Sequence, residues 1–143
     1  MKDTQNRVLA VSSIAPIVGN NTTEGTGAGV DLAGCDGAQL IAHIGVSGDT
    51  LSGSVYLTVG WQESYVEGSG YTDVAAADLT GCNDGIIIDD AAEDAVVVQR
   101  GYIGSKRYVR ACIAFTGTHT NGTPISALVV KHNLRHQPPT IAP

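Results

Sequence analysis

Strict alternation of side-chain type over residues 106–116 is the feature that most constrains what this chain can fold into. From Val109 on, every second residue falls on one apolar face of an extended segment: Val109, Ala111, Ile113 and Phe115. The residues between them would form the opposite face: Tyr108, Arg110, Cys112 and Ala114. A period of two is typical of a half-buried β-strand. Glycine and serine at positions 101, 104 and 105 predict a turn before this strand.

The same alternation recurs in two long runs in the middle of the chain. Residues 38–46 place apolar side chains on one face, and residues 54–62 do the same up to Trp61. The connection between the runs, GDTLSG at 48–53, predicts an antiparallel hairpin. Trp61 ends the inward-facing series, so we expect it to anchor one end of the core.

Shorter runs complete an all-β pattern. The first strand, at 8–18, should lie at a sheet edge because it contains Pro16. The last strand, at 125–132, is apolar on both faces, which is typical of a central or covered strand. Residues 75–79 predict one helical turn, with Asp73 as a candidate N-cap. Further strands are expected at 71–74, 86–88 and 96–99. Roughly eight strands at a spacing of about 8–12 residues predict an antiparallel, jelly-roll-like β-sandwich.

The chain length fits one domain with an aliphatic core. Its 143 residues are 43% apolar but only 5% aromatic, so Val, Ile, Leu and Ala must fill the core. The 18 glycines suit many tight turns. We divide the chain into an N-terminal arm and first strand at 1–18, a β-sandwich domain at 19–132 and a Pro-rich C-terminal arm at 133–143. Both arms are expected to be extended.

Net charge limits the classes of partner. The formal charge is −6 at pH 7, whereas nucleic-acid binding requires a basic footprint. The apolar run near the N-terminus is too short and too interrupted for a secretory signal or a membrane span, so we expect synthesis in the cytoplasm. Cys35, Cys82 and Cys112 are widely spaced, and we expect them to be reduced and mostly buried.

Basic residues are concentrated in one segment of this acidic chain. Half of its eight Lys and Arg residues are Arg100, Lys106, Arg107 and Arg110. A basic strand flanked by aromatic residues is typical of a contact surface, because Arg and Tyr are enriched at interfaces. We predict Arg107, Tyr108 and Arg110 as interface residues. Arg110 is the strongest candidate because it shares a face with Tyr108.

The two chain ends supply further candidate contacts. Residues 1–7 are polar and without periodicity, and residues 133–143 are rich in proline, so neither segment can build a core. We expect both to become ordered against neighbouring subunits. Leu134 and Ile141 are the apolar residues that the C-terminal segment would bury. A tail that folds back on its own domain is the alternative.

Residues capable of chemistry do not form a catalytic or metal-binding pattern. Acidic residues crowd into positions 84–94, but their order lacks the ligand spacing of a calcium loop, so a solvated loop is expected. No cysteine lies close in sequence to a histidine, which argues against zinc. The glycines at 25–29 lack the following Lys-Ser/Thr and helix of a phosphate loop. We therefore expect no enzyme activity, no metal and no cofactor.

Several strings taken together resemble a family of small virion proteins from tailed bacteriophages. The strings are GTGAGVDLAGCDGAQLIAHIG, WQES, YTDVAAADLTG and RGYIGSKRYVRACIAFTGTHTNGTPISALVVKHNLRHQP, and the resemblance spans residues 25–138. Members of this family are usually described as head decoration or cement proteins. The family has no known catalytic residues, so the resemblance implies none in this chain.

The resemblance implies a non-enzymatic cement protein on the capsid surface. Such a protein would bind the major capsid protein on the outside of the assembled head, stabilise the shell and form a homotrimer. It would act in the virion after synthesis in the bacterial host cytoplasm, with neither nucleic acid nor membrane as a partner. A head–tail connector or tail component is the alternative within the virion. A glycan-binding jelly roll for host adhesion, with Tyr65 and Tyr71 as an aromatic pair, is the alternative from another functional class.

Overall fold

A computed structural model describes residues 6–81 and 85–135 of the chain, which form ten β-strands and one turn of 3-10 helix. Six strands have seven residues or more: β1 (Val8–Gly19), β3 (Cys35–Ile44), β4 (Tyr56–Ser64), β8 (Val96–Tyr102), β9 (Tyr108–Thr116) and β10 (Thr123–Leu134). The short elements are β2 (Val30–Asp31), β5 (Thr72–Asp73), the 3-10 turn (Ala76–Asp78), β6 (Leu79–Thr80) and β7 (Ile86–Ile88).

The strands form two antiparallel sheets that face each other. Sheet A has the order β1-β10-β3-β8-β6, and sheet B has the order β2-β9-β4-β5, with β7 also paired to β4. From β1 to β4 and again from β8 to β10, consecutive strands alternate between the sheets. The predicted antiparallel β-sandwich is confirmed. Two predictions about single strands are confirmed too, since the Pro16-containing strand β1 is an edge of sheet A and β10 lies inside it.

An aliphatic core fills the space between the sheets, as the composition predicts. In sheet B, Val109 and Ile113 of β9 are fully buried, as is Leu57 on the neighbouring strand. Sheet A contributes Leu40 and Ile44, which are also fully buried. Burying a side chain of this size contributes about 2 kcal/mol relative to leaving it in water. The alternation read from the sequence therefore identifies the inner faces of β3, β4 and β9 correctly.

The predicted hairpin across residues 48–53 is wrong. Strands β3 and β4 belong to different sheets, because β3 pairs with β10 on one side and β8 on the other, while β4 pairs with β9, β5 and β7. Residues 45–55 therefore cross from sheet A to sheet B. Alternation shows which face of a strand is buried. It does not show whether two such strands pair in one sheet or lie in facing sheets, because both arrangements bury that face.

Three local boundaries also differ from the sequence analysis. Gly101 lies inside β8, so the turn before β9 begins only after Tyr102. Asp73 lies in β5, and the residue that precedes the 3-10 turn, Ala75, makes no side-chain capping bond. Leu134, assigned to the C-terminal arm, is the last residue of β10 and pairs with Cys35. Strand β10 thus extends into the segment that was predicted to be an arm.

Residues 25–31 close one side of the sandwich by running along β9. The N–H of Ile113 donates to the carbonyl oxygen of Gly25 at 2.8 Å, and the N–H of Gly27 donates to that of Ala111 at 2.9 Å. Glycine is required at position 25, because an added Cβ would collide with the carbonyl oxygen of Ile113. The Ser13 hydroxyl, on the facing edge of sheet A, accepts from the N–H of Ala111 at 3.0 Å. The glycine-rich segment is therefore an edge element that joins the two sheets.

The two ends of the sandwich differ in charge. The terminal end is where β1 begins and β10 ends, since Val8 pairs with His132, and it includes the segments 32–34, 65–71 and 103–107. The acidic end lies opposite and comprises the segments 20–24, 45–55, 89–95 and 117–122. The acidic end carries six carboxylates, and its four segments contain no Lys or Arg: Glu24, Asp49, Asp89, Asp90, Glu93 and Asp94.

Candidate functional site

The basic segment predicted as a contact surface lies at the terminal end. Residues 103–107 connect β8 in sheet A to β9 in sheet B, so this loop crosses the open edge between the sheets. Together with residues 32–38 and Tyr102 the loop lines a cavity of about 530 Å³. Lys106 and Arg107 are among the residues that line it. At this loop the predicted interface residue Arg107 therefore borders a cavity.

A buried hydrogen-bonded cluster holds this loop to sheet B. The hydroxyl of Tyr102 donates to Oε2 of Glu63 at 2.6 Å, and Nζ of Lys106 lies 3.2 Å from Oε1 of the same carboxylate. Glu63 is only 5% exposed. The backbone N–H of Lys106 donates to the Tyr102 hydroxyl at 3.1 Å, which closes a ring of three interactions. Burial and the bond to Glu63 raise the pKa of Tyr102, so its hydroxyl stays protonated and donates.

Arg107 is exposed but already paired within the chain. Its Nε and Nη2 donate to the two carboxylate oxygens of Asp31 at 3.0 and 2.8 Å, a bidentate pair. The guanidinium also lies 5.2 Å from the ring centre of Tyr108. The hydrogen bond from Arg107 lowers the pKa of Asp31. Tyr108, predicted as an interface residue on the polar face, is only 8% exposed.

Arg110 packs on the outer face of sheet B rather than standing free. Its Nε and Nη2 both donate to Oε1 of Gln62 on β4, at 2.9 and 2.7 Å. The guanidinium lies 4.0 Å from the ring centre of Tyr71, which is a close cation–π contact. Gln62 in turn donates to Asp73 at 3.0 Å. Arg110, the strongest interface candidate from the sequence, therefore has intramolecular partners on β4 and immediately before β5.

The predicted contact residues do not form one continuous strip. Arg100 is buried in β8 of the other sheet, where its Nη1 donates to the carbonyl oxygen of Gln99 at 3.0 Å. Leu134 is half-buried at the end of β10. Ile141 lies outside the described residues. The structure brings together Lys106 and Arg107 at the terminal end, and Arg110 follows three residues after Arg107, within β9.

Glu63 is the functional residue that the sequence analysis missed. The signal was present, because Glu63 follows Trp61 by two residues and so continues the inward-facing series of β4. We expected that series to end at Trp61, which is itself buried as predicted. A carboxylate at an inward position needs a buried partner. Tyr102 and Lys106 supply it from a loop about 40 residues later in the sequence.

At the acidic end, Asp49 holds two loops together. Its carboxylate accepts the backbone N–H groups of Thr120, Asn121 and Gly122 at 3.0, 2.9 and 2.8 Å. These hydrogen bonds, with that of Asn121 the largest contributor, lower the pKa of Asp49. Nδ1 of the buried His119 lies 3.9 Å from the same carboxylate. The site is a structural clamp between residues 45–55 and 117–122.

Two other acidic side chains at this end accept hydrogen bonds from backbone N–H groups. In the acidic loop, Asp90 accepts the N–H of Ala92 at 2.8 Å and Asp94 accepts the N–H of Ser47 at 2.9 Å. Within residues 6–81 and 85–135, no three His, Cys, Asp or Glu side chains converge as metal ligands would. Burial raises the pKa values of the Cys35 and Cys112 thiols, which are free, and so makes them weaker nucleophiles.

Two further observations concern membrane helices and similarity to known proteins. No helix in the described part of the chain has the length and apolar character needed to cross a membrane. Compared with protein-family models, with curated proteins and with solved structures, the sequence gives no match.

Proposed function

We propose that this chain is a non-enzymatic decoration protein of a tailed-bacteriophage head. It binds the major capsid protein on the outer surface of the assembled shell and stabilises it, without a cofactor, nucleic acid or membrane. The observation that carries this proposal is the resemblance of residues 25–138 to small virion proteins of these phages. The β-sandwich supports it, because a clamp between capsid subunits requires a rigid domain and no catalytic centre.

The positions of the chain ends support the proposed arms. The first residue of β1, Val8, pairs with His132 near the end of β10, so β1 begins and β10 ends on neighbouring strands at one end of the domain. Two segments that leave from one end can both reach a surface on which that end is seated. In this proposal the terminal end faces the shell. Leu134 lies at the root of the C-terminal arm, and Ile141 is the residue within it that is buried on the capsid.

The charge distribution supports the same orientation. Lys106 and Arg107 at the terminal end are each paired with a carboxylate, so this end can approach another protein without a large excess of charge. The acidic end carries six carboxylates without a nearby Lys or Arg in its described segments. Acidic ends of neighbouring copies repel each other. They therefore face outward into solvent in the proposed arrangement.

The finer description of the fold as a jelly roll is also a proposal. The orders β1-β10-β3-β8 and β2-β9-β4, with β5 and β7 beyond β4, support it. They give four long strands in one sheet and a complementary set in the other, as two interleaved Greek keys require. In the virion we propose a homotrimer, in which each copy presents different surfaces to its two neighbours.

A thermal genome-release assay tests the proposed function. Particles of the phage that encodes this chain are compared with particles assembled without it and with particles to which the purified protein is added back. We expect genome release at a lower temperature without the protein and recovery on addition, because a ligand that binds only the assembled shell stabilises that state. Equal release temperatures in all three samples would overturn the proposal. Location of the protein in a ring of six or twelve at one vertex would instead favour the head–tail connector.

A further inference from the structure

In the described strands, the outer face of sheet A carries no Asp, Glu, Lys or Arg. Four long strands, β1, β10, β3 and β8, present alternate side chains on this face in rows set by the strand register. One row pairs Leu128 with Ile41 and Ile41 with Gln99, and the next pairs Ser126 with His43 and His43 with Val97. Throughout the described length of these four strands, none of the outward-facing positions is Asp, Glu, Lys or Arg.

Large apolar side chains are exposed on this face. Val18, Val97 and Leu128 are 57%, 48% and 40% exposed. Near the acidic end of the same face, a groove of about 500 Å³ runs between β1 and β10, bounded by Pro16 and Pro124. Nε2 of Gln39 donates to Oε1 of Gln99 at 2.8 Å, so these two polar side chains partly satisfy each other. An apolar surface that extends across four strands is unusual for the solvent side of a sandwich.

The outer face of sheet B shows the usual pattern and serves as a comparison. Arg110, Gln62 and Asp73 form a charged, hydrogen-bonded network there. The chain has 8 basic and 14 acidic residues in 143 positions, so charged side chains are plentiful. Their complete exclusion from the outer strand positions of one sheet, and not of the other, indicates that this face is covered by protein.

We propose that the outer face of sheet A packs against a second copy of this chain. Two copies that each carry a charge of −6 repel each other, so their contact is best made through the surface that has no charge of its own. A basic partner of another kind would find complementary charge at the acidic end and not on this face. The inference rests only on the proposed self-association, and it is independent of the proposed role in a virion.

The size of the face is sufficient for such a contact. Along β10 the outward positions run from Pro124 to His132, about 27 Å at ~3.3 Å per residue. Four strands at about 4.8 Å spacing span roughly 19 Å, which gives about 500 Å² of plane per copy. Contact between two copies covers about 1,000 Å² in total, near the lower limit for specific interfaces, and projecting side chains add to that area.

The variation in side-chain size on this face also suits close packing against another sheet. The bulky side chains of Leu128 and Val97 alternate with smaller ones, Ala10 on β1 and Ser126 on β10. Opposed sheets pack about 10 Å apart when side chains of unequal size interdigitate. Leu128, near the middle of the face, is therefore the central contact, and Val97 is a second contact on the far strand.

The test is the oligomeric state of purified wild-type protein and of Leu128→Glu and Val97→Glu, measured by sedimentation velocity over a wide concentration range. We expect a wild-type dimer in solution, because a face that packs on the same face of a second copy joins two copies. Its dissociation constant should rise at least about 100-fold in each variant, because each copy would bury an unpaired carboxylate in the contact. Circular dichroism melting of the dissociated variants checks that the monomer still folds. The matched control is Ile87→Glu, which removes an equally exposed side chain (54%) from sheet B and should leave the assembly intact.

Each outcome of this test either supports or overturns the proposed contact through the outer face of sheet A. A wild-type protein that is monomeric at every concentration, or folded sheet A variants that assemble like wild type, would overturn the inference. Equal dissociation by Ile87→Glu would also overturn it, since the effect would then be unspecific. A wild-type trimer that Leu128→Glu dissociates would overturn the packing of this face on the same face of a second copy, since each copy in a trimer presents different surfaces to its two neighbours. Failure of the genome-release assay would leave the inference standing, because that assay reports on the capsid contact alone.

Discussion

The two ends of the sandwich satisfy their carboxylates in different ways. At the terminal end, Glu63 is paired with Lys106 and Asp31 is paired with Arg107. At the acidic end, the carboxylate of Asp49 accepts three backbone N–H groups, and its four described segments contain no Lys or Arg. The same side-chain chemistry therefore joins a loop to a sheet at one end and a loop to a loop at the other.

This difference determines what each end contributes to stability. The stability that an ion pair contributes depends on how deeply it is buried. Solvent screens an exposed pair, whereas a buried pair that loses one member leaves the other charge unpaired. A carboxylate on backbone N–H groups contributes by fixing loop shape, and it depends on its own ionisation. The stability that each end contributes should therefore respond differently to substitution and to acid.

Glu63→Ala should have the largest effect. It leaves the hydroxyl of Tyr102 without its acceptor and Lys106 without its counter-ion in a buried site. We expect the free energy of unfolding to fall by about 3 kcal/mol. Urea denaturation of the purified protein measures this change.

Two further variants make the Glu63 test specific. Glu67→Ala removes an exposed glutamate from the same end and should change stability little. Glu63→Gln keeps an acceptor for Tyr102 and should recover part of the loss. If Glu63→Ala and Glu67→Ala unfold at the same urea concentration, the buried cluster does not stabilise the terminal end.

Arg110→Ala should have the next largest effect, and it extends the comparison from the ends to the outer face of sheet B. Loss of the hydrogen bonds to Gln62 and of the cation–π contact with Tyr71 should lower the free energy of unfolding by about 1 kcal/mol. Lys is the informative control, since Arg110→Lys keeps the charge but loses the paired donors. Unchanged stability with weakened capsid binding would instead return Arg110 to the interface role predicted from the sequence.

The sequence predicts the strands and their faces much better than their partners. Alternation identified the inner faces of β4 and β9, because burial of one face leaves a direct record in every second residue. It could not show that β3 and β4 lie in different sheets. Two strands with the same pattern fit equally well side by side or face to face, and the loop between them, residues 45–55, is long enough for either.

The candidate site was predicted as a segment but not as a set of contacts. The concentration of basic residues at 100–110 is visible in the sequence, whereas their acceptors are distant along it. Arg107 bonds Asp31 across 76 residues, and Arg110 bonds Gln62 across 48. No local pattern encodes such pairs, because they depend on which strands the sandwich brings together. Because these basic side chains pair within the chain, less basic charge is free for a partner than the sequence suggested.

Asp49→Asn should have a smaller but still measurable effect, at the acidic end. The amide that replaces one carboxylate oxygen would point a donor at the N–H groups of residues 120–122, so one or more bonds would be lost. We expect the melting temperature to fall by a few degrees at pH 7. Glu93→Gln is the matched control, since that carboxylate makes one longer bond of 3.3 Å within its own loop. A control that melts as low as Asp49→Asn would argue against a clamp.

Acid should remove the contribution of Asp49. Backbone N–H groups hold the pKa of Asp49 below its usual value of 3.8, so the carboxylate stabilises the fold at every pH above that value. The stabilisation is lost as the pH falls through the lowered pKa of the folded state. The difference in melting temperature between wild type and Asp49→Asn should therefore be constant from neutral pH down to about pH 5 and should shrink below about pH 4.

Arg107→Ala should have the smallest effect, although its pair has the best hydrogen-bond geometry at the terminal end. Its side chain is 56% exposed and that of Asp31 is 41% exposed, so water replaces the lost bonds and salt screens the pair. We expect the melting temperature at pH 7 and physiological salt to change by less than about 1 °C. The small difference in melting temperature should disappear in acid. Arg107 lowers the pKa of Asp31, so wild type gains stability above the usual value of 3.8 and loses that gain as the pH falls through the lowered pKa. Melting curves of wild type and variant should converge below about pH 3, and convergence should come at higher pH in high salt. A loss on Arg107→Ala as large as that on Glu63→Ala would show that burial does not set the ranking of the pairs at this end.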